Sequence, residues 1–490
     1  MDKEGNVGQQ KSPKNWSLLL QFSIFFLALG LLFNESTSSL LARWLKWDED
    51  LSHAIPTLLA LLFLVFRIEK FPYRADPKLL RAIFITFIAL TSIAWLLFVI
   101  ANITLLANLC LLLCIPLVLT ACYSLRTTTF FIPILGLLIF TLPIFSQLNT
   151  ILVQMSAYVV GLLVKAVGIT ALIDGQNIFI TYGHIFIADG CSGLRYLTIS
   201  ILLGYLLSIL NHYSISKTII AIVIATLLGL ATNWLRIFLL VLIGDITHMK
   251  SSLMHDHEMF GWILFSCVML PAIFFAPVSK HKRYEGQSNP VIKPLLPTLA
   301  LAVGPLVFNL IPNVVGNTAT LSLQSIGLNV QAKPTDSLLP PRLPAAEVKE
   351  YASKTIDNTE LHVRLNQYQP ETLREKIIPY FESLYNTEEW QNDPRATPVE
   401  LKELGYKVFN LRRTGGQNFA IFIYRFEIGE YNTNNYEIAK LLQIPATFTG
   451  RRYFNIMSIH SLCSEPSCAN ELASATQIAL NWDTTTKKLR

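Results

Sequence analysis

Three residues that could carry chemistry stand near the ends of apolar segments in this chain. Cys191 lies in a polar, glycine-rich run just before an apolar segment that begins at Arg195. Arg236 lies inside a membrane-length apolar segment, and His257 stands where the next such segment begins. Thiol-dependent acyl transfer requires a thiol nucleophile, a base and a group that stabilises negative charge. The sequence therefore predicts this chemistry if the intervening segments bring the three residues together.

The composition is that of a polytopic membrane protein. Hydrophobic residues make up 52% of the chain and charged residues 15%, whereas soluble globular proteins carry about 25% charged residues. Several apolar runs approach or exceed the roughly 20 residues needed to cross a bilayer. Basic residues cluster between these runs, so the net charge of +6 indicates topology and not affinity for nucleic acid. Trp16–Phe33 lacks a small-residue cleavage site and is expected to be an anchor.

We predict a polytopic α-helical membrane protein with about eight core spans plus one. The nine segments are Trp16–Phe33, His53–Phe66, Ala82–Ile100, Ile103–Cys122, Phe130–Phe145, Arg195–Leu210, Thr218–Ile243, Met259–Pro277 and Pro294–Ile311. Five groups of basic residues between them fall on one side if the N-terminus is cytoplasmic, as the positive-inside rule requires. In this threading Cys191, Arg236 and His257 reach the same outer face of the membrane.

One further apolar segment, Ile151–Leu172, decides that threading. Lys165 interrupts it and small residues dilute it, so we expect an interfacial or re-entrant helix on the outer side. If the segment crossed the bilayer, Cys191 would move to the cytoplasmic side and the basic run Lys280–Lys293 would lie outside, against the rule. The alternation in Gln176–Ile187 predicts a short β-hairpin that leads the chain to Cys191.

Cys191 has a structural and a catalytic interpretation. Most other cysteines of the chain are embedded in apolar runs and are expected to be small buried hydrophobes, a role also open to Cys191. Its polar neighbours favour catalysis, because Gly190 and Gly193 allow the backbone to turn sharply and to approach a substrate closely. The positive end of the helix that follows should also favour the thiolate.

Arg236 and His257 likewise have alternatives. A charged side chain inside a span is costly and marks a functional site by default. Arg236 could instead snorkel to the headgroups or pair with Asp245 or Asp189. Asn233 lies one helical turn earlier on roughly the same face and could orient the guanidinium. His257 could serve as a general base or be merely solvated.

A metal site is a further alternative at the same place. His248, His255, His257 and Glu258 could gather a divalent ion. The helical zinc-protease pattern, however, requires a histidine at position 261, where Gly261 stands. We therefore predict no metal and no cofactor.

The three segments together resemble the exosortase/archaeosortase family. The family's three ordered motifs match Cys191-Ser192-Gly193-Leu194-Arg195, Ala231-x-Asn233-x-Leu235-Arg236-Ile237 and His257-x-x-x-Gly261-x-x-x-Phe265. The resemblance covers about Trp16–Pro277 and implies that Cys191, Arg236 and His257 are catalytic. Supporting residues would be Asn233, Ser192, Gly193 and Arg195. The family often shows Glu-Ala before the cysteine, whereas this chain has Asp189-Gly190, so no role is carried over to Asp189.

We divide the chain into three parts. These are a multi-span catalytic domain over 1–280, a basic loop and additional span over 281–318, and an extracytoplasmic domain over 319–490. The last is similar in position and composition to the exosortase-associated C-terminal domain. Its pattern predicts an α+β fold, with strands at His362–Tyr368, Lys407–Leu411 and Phe419–Ile428 and helices at Leu373–Leu384 and Glu471–Trp482. Cys463 and Cys468 are candidates for a disulfide if this domain is exported.

The resemblance implies a membrane-embedded cysteine protease or transpeptidase of the bacterial cytoplasmic (inner) membrane. It would cleave the C-terminal sorting signal of exported proteins and would be linked to exopolysaccharide production. The acyl group would pass to water, to an amine or to a glycan-lipid acceptor, with the active site and the C-terminal domain on the extracytoplasmic side. The alternative is a non-enzymatic membrane component of exopolysaccharide assembly or transport, in which Arg236 lines a polar pathway.

Overall fold

The computed structural model describes most of the chain. The described residues are 16–46, 51–68, 70–187, 189–252, 257–278, 294–310, 321–331, 339, 341–343, 345–346, 348–356, 359–368, 378–379, 383–393, 397–451 and 453–489. The basic run Lys280–Lys293 lies outside them, as does most of the helix predicted at Leu373–Leu384. The described residues of that segment, 378–379 and 383–384, are not helical.

Eleven helices and a small sheet make up the described part of the chain up to Leu310. The helices are α1 Trp16–Leu32, α2 Asn34–Trp44, α3 Ala54–Phe66, α4 Lys78–Ile100, α5 Thr104–Cys122, α6 Leu125–Leu135, α7 Asn149–Ala166, α8 Leu194–Leu210, α9 Ile215–Ile246, α10 His257–Phe274 and α11 Leu295–Leu310. Between α7 and α8 run β1 Ala171–Asp174, β2 Asn177–Ile180 and β3 Gly183–Phe186, paired in that order. The hairpin predicted over Gln176–Ile187 is therefore present, with a third strand added before it.

Four helices of the described chain are long and apolar enough to cross a bilayer. They are Lys78–Ile100, Thr104–Cys122, Phe145–Ala166 and Ile215–Ile246, and a fifth is added if α1 and α2 count as one bent span. The other apolar helices have 10–17 residues, and 17 residues rise only about 25 Å, short of the roughly 30 Å hydrocarbon core. The predicted number of eight core spans plus one is therefore not confirmed, although the helical membrane character is.

The first predicted segment, Trp16–Phe33, corresponds to α1, and a further helix, α2, that was not predicted follows it after a sharp bend. α2 leaves α1 at an angle of 107°. Trp95 on α4 packs against the bend, with its ring edge-on to Phe33 at 4.7 Å and its indole N–H donating to Ser36 Oγ at 2.9 Å. No proline marks the junction of Phe33 and Asn34, so the usual sequence signal for a sharp kink is missing.

The long helix α9 carries one continuous buried side. Its buried residues are Ala225, Gly229, Thr232, Asn233, Arg236, Ile237, Leu240, Val241 and Gly244. They recur every three or four positions, which places them on one face, and α7, α8 and α10 pack against this helix. A Cβ at Gly229 would stand 2.9 Å from Ser200 Cβ on α8. The glycine thus permits the close helix approach that small residues allow in membranes.

The small sheet is anchored in an apolar cluster beside α9. Ile178, Ile180 and Ile187 pack with valines of α7 and with Ile237 and Val241 of α9. Cys191 and Trp234 lie at the edge of this cluster. The chain that enters α8 is therefore held from one side by α7 and from the other by α9.

The C-terminal domain is β-rich and also contains helices. Its elements are β4 Val348–Ile356, β5 Thr359–Tyr368, β6 Trp390–Asp393, α12 Val399–Glu403, β7 Lys407–Arg413, β8 Phe419–Ile428, β9 Tyr431–Thr433, α13 Tyr436–Phe448, β10 Phe454–Cys463 and α14 Ala469–Leu489. The strands run antiparallel in the order β4-β5-β10-β8-β7-β6, with β9 on β8. α14 contributes to the core on one face and α13 to the core on the other.

The chain divides into two compact units. The first holds most residues up to Leu310, and the second holds Ile311–Arg490 together with the short segments Leu97–Thr104 and Ile173–Asn177. The predicted strands of the tail are present, and the strand predicted at Phe419–Ile428 has the observed bounds of β8. Cys463 and Cys468 are joined by a disulfide.

Candidate active site

Cys191 ends a short 3₁₀ turn, Asp189–Cys191, directly before α8. Gly193, which caps α8, has a φ of +90°, a conformation that only glycine adopts without strain. A Cβ at this position would also stand 2.7 Å from Asn233 Nδ2. Glycine is therefore required twice at position 193, by the backbone angle and by the approach of α9.

Asn233 holds the backbone of the cysteine turn. Its side chain is fully buried, and its Nδ2 donates to the carbonyl oxygen of Cys191 at 3.0 Å. The sequence had suggested that Asn233 orients Arg236, whereas its observed hydrogen bond goes to the cysteine peptide instead. Its Oδ1 is buried without a partner in the described part of the chain.

Ser156 on α7 adds a second contact to the same turn. Its hydroxyl donates to the carbonyl oxygen of Ser192 at 3.3 Å and lies 3.5 Å from Asn233 Nδ2. The residue is only 1% exposed, so these contacts are shielded from water. Sequence reasoning missed Ser156, because a single serine in an apolar helix gives no signal of its own.

Arg236 is buried at 4% exposure, one turn beyond Asn233 on α9. Burial excludes the alternative in which it snorkels into water. Its guanidinium lies 5.7 Å from the ring centre of Tyr196, a cation–π distance. Its Nε–H has no acceptor, and it forms no ion pair, among the residues that the structure describes. Pairing with Asp245 is therefore not observed, and the side chain of Asp189 is outside the description.

Gly261 on α10 makes the space that Arg236 and Tyr196 occupy. A Cβ at this position would stand 2.7 Å from Arg236 Nε and closer still to the hydroxyl of Tyr196. The glycine that argues against a zinc-protease pattern thus has a steric role of its own. Among the described residues no group of three His, Cys, Asp or Glu side chains is arranged to hold a metal ion.

His257 is the first residue of α10, and its side chain lies outside the described set. The next residue, Glu258, reaches back toward α8, where its Oε1 lies 3.8 Å from Arg195 Nη1. Both partners are partly exposed, so the ion pair adds little stability. The start of α10 is therefore next to the start of α8, close to the cysteine turn.

A cleft lies beside the cysteine turn. It is lined by Gly190, Gly193, Arg195, Tyr196, Arg236, Glu258 and Trp262, and its volume is about 320 Å³ with the space open to solvent included. Five of these residues were singled out from the sequence, Glu258 among them only as a possible metal ligand. Tyr196 and Trp262 were missed, because an aromatic residue at the start of an apolar helix usually indicates packing or a membrane interface.

Burial and charge act in opposite directions on the Cys191 thiol. Burial raises its pKa, the charge of Arg236 lowers it, Glu258 raises it and Arg195 lowers it. The pKa is raised overall, contrary to the expectation that the helix end favours the thiolate. Desolvation disfavours the charged form and outweighs the two cations here. A neighbouring base is therefore needed for this thiol to act as a nucleophile near neutral pH.

Comparison with known proteins points to one family. No curated protein and no solved structure matches the chain significantly. Residues 44–274 match the family model described as transmembrane exosortase. This stretch holds the cysteine turn, the buried side of α9 and the start of α10, so it contains every residue that lines the cleft. This segment, just under half of the chain, is similar to the transmembrane exosortase family.

Proposed function

We propose that this protein is a membrane-embedded cysteine protease or transpeptidase that cleaves the C-terminal sorting signal of exported proteins. The observation that carries the proposal is a buried guanidinium, Arg236, whose Nε–H is unpaired among the described residues and which lines the cleft beside Cys191. Such a donor is costly to bury without an acceptor. An acyl substrate whose carbonyl oxygen becomes negatively charged would supply that acceptor.

The reaction begins with attack of the Cys191 sulfur on the scissile carbonyl carbon. His257 takes the thiol proton as the C–S bond forms and the carbonyl electron pair moves onto oxygen. Arg236 stabilises that oxygen by charge and hydrogen bonding. Collapse of the tetrahedral intermediate breaks the C–N bond, and His257 returns the proton to the leaving amine. The product is a thioester on Cys191, which water, an amine or a glycan-lipid acceptor then cleaves.

The supporting residues position this nucleophile. Asn233 and Ser156 hold the peptide carbonyls of Cys191 and Ser192, Gly193 provides the turn, and Arg195 is paired with Glu258 at the rim of the cleft. We further propose the bacterial inner membrane as the location, with the cleft and the C-terminal domain on the extracytoplasmic side. Partners would be exported proteins that carry sorting signals, in a cell that makes exopolysaccharide.

The test is processing of a co-expressed substrate that ends in a short motif, an apolar span and basic residues. Cys191→Ala, Arg236→Ala and His257→Ala should each abolish cleavage while the protein still inserts. Their combination should cost little more than one of them, because groups that act as a unit are not additive. Cys267→Ala is the matched control, since this thiol lies exposed on α10. Near-normal cleavage by Cys191→Ala would rule out the thiol mechanism.

A further inference from the structure

Tyr196 presents a hydroxyl group to the cleft that the proposed mechanism does not use. The residue is the third of α8, lines the cleft and is only 6% exposed. Its hydroxyl has no hydrogen-bond partner among the described residues. The hydroxyl oxygen is not among the buried polar atoms that lack a partner, so it is open to the cleft. A substrate group bound in the cleft could therefore accept its hydrogen bond.

The hydroxyl and the Arg236 guanidinium converge on one place. Both stand within 2.7 Å of the point where a side chain at Gly261 would begin. The ring of Tyr196 is fixed in that position by Phe265, at a centroid distance of 5.2 Å, and by Trp262 at 6.0 Å. Two neighbouring hydrogen-bond donors that lack acceptors among the described residues, held by helices in the wall of one cleft, are features of a preorganised oxyanion site.

We infer that Tyr196 is a further catalytic residue, whose hydroxyl donates a hydrogen bond to the oxyanion that forms when Cys191 attacks the scissile carbonyl. The inference rests on the proposed function and adds a second donor to Arg236. No covalent change occurs at the tyrosine, because its proton stays on the phenol oxygen throughout. The carbonyl electron pair moves onto the oxygen as the C–S bond forms, and it returns as the C–N bond breaks.

Tyr196→Phe tests this assignment, since it removes one oxygen atom and keeps the ring, its packing and the cation–π contact. Loss of one oxyanion donor typically lowers kcat by about 10²–10³-fold. We expect that fall in the rate of thioester formation on Cys191, with the KM for substrate unchanged. The rate at which iodoacetamide alkylates Cys191 should also be unchanged, because alkylation passes through no oxyanion.

Tyr205→Phe is the matched control on the same helix. It also removes a tyrosine hydroxyl, one that donates to the carbonyl of Pro133 at 2.7 Å away from the cleft, and it should keep wild-type acylation. Acylation by Tyr196→Phe within about twofold of wild type would overturn the inference. An equal fall in acylation and alkylation would also overturn it, because the hydroxyl would then only position the cysteine turn. If Cys191→Ala still processed substrate, the proposed function itself would fail, whatever the tyrosine variant does.

Discussion

At the scale of the residue, desolvation and neighbouring charges have opposite effects on the pKa of the Cys191 thiol. Packing at the edge of an apolar cluster raises the pKa of the Cys191 thiol, and Arg236 and Arg195 only partly offset this rise. A thiol of this kind stays protonated at neutral pH and is protected from casual oxidation. The thiol is then activated as a nucleophile only when a base and a substrate are both present.

The alkylation rate of Cys191 should report these opposing charges. It should rise with pH through a midpoint above the ordinary thiol pKa of about 8.5, because burial raises the pKa. Arg236→Ala should move the midpoint to higher pH, since a cation that favours the thiolate is lost. Glu258→Gln should move it to lower pH, since an anion that disfavours the thiolate is lost. The measurement is the rate of iodoacetamide labelling in a chain whose other thiols outside the disulfide are replaced.

Lys217→Ala serves as a control in that series, because this cation stands at the opposite end of α9 from Arg236. It should leave the midpoint where it is. A midpoint that stays constant or falls in Arg236→Ala would show that the guanidinium does not act on the sulfur.

Individual residues of the site could be predicted where their chemistry is unusual for their surroundings. Cys191 and Arg236 stood out because a thiol beside glycines and a charge inside a span both need a reason. The target of Asn233 could not be predicted, since its hydrogen bond to the cysteine peptide depends on how closely the start of α8 approaches α9. Tyr196 was missed for a related reason. Its ring is ordinary in an apolar helix, and only its contact with Gly261 and its place in the cleft wall show where its hydroxyl lies.

At the scale of the element, the number of spans predicted from apolar length is not confirmed by the helices of the described chain. Segments such as Arg195–Leu210 and Pro294–Ile311 form helices close to their predicted bounds, α8 and α11, but these helices have only 17 and 16 residues, near the lower limit for a span. Conversely, Phe145–Ala166 is long and apolar enough to cross a bilayer, although Lys165 led us to predict an interfacial segment there. Its buried valines pack in the same cluster as α9, so tertiary contacts and not hydropathy determine what this helix does.

The sidedness of the cleft depends on α7. If α7 lies at the interface, as the positive-inside rule favours, positions 186 and 250 both face the extracytoplasmic side. Single cysteines introduced there as Phe186→Cys and Lys250→Cys should react with a membrane-impermeant maleimide in intact spheroplasts. A cysteine at position 284, in the basic run, should react only after the membrane is permeabilised. The reverse pattern would mean that α7 crosses the membrane and that Cys191 faces the cytoplasm.

At the scale of the whole molecule, the two units rest on separate apolar cores. The tail carries one core on each face of its sheet and a buried ionic network around Arg425. This guanidinium pairs with Glu427 and Asp483 and lies 4.5 Å from the ring centre of Tyr406. Trp482 on α14 donates to Glu427 at 2.8 Å. The strands of this domain could be predicted from the sequence, whereas the charge of Arg425 in the middle of β8 gave no indication of its partner Asp483, which lies 58 residues further on.

The tail should be accessory to the chemistry and not part of it. Every residue that lines the cleft precedes Leu310, and the two cysteines of the tail, Cys463 and Cys468, are joined in a disulfide. We therefore expect a chain truncated after Pro312 to form the thioester on Cys191 at a measurable rate. Transfer to an acceptor or the choice among substrates should be impaired. The measurement compares the amount of thioester trapped on Cys191 with the amount of product released, for two sorting-signal substrates that compete with each other.

A full-length variant distinguishes the effect of unfolding the tail from the effect of deleting its residues. Arg425→Met removes the guanidinium from a buried ionic network and leaves the buried carboxylate of Glu427 without its cationic partner, which typically costs about 3–5 kcal/mol. It should therefore unfold the tail while α11 and everything before it stay intact, and it should reproduce the truncated chain's defect in transfer. Arg451→Met is the control, because its ion pair with Glu430 is well exposed and such pairs contribute about 0–1 kcal/mol. If the truncated chain formed no thioester at all, or if its product ratio matched that of the full chain, this division of labour between the two units would be wrong.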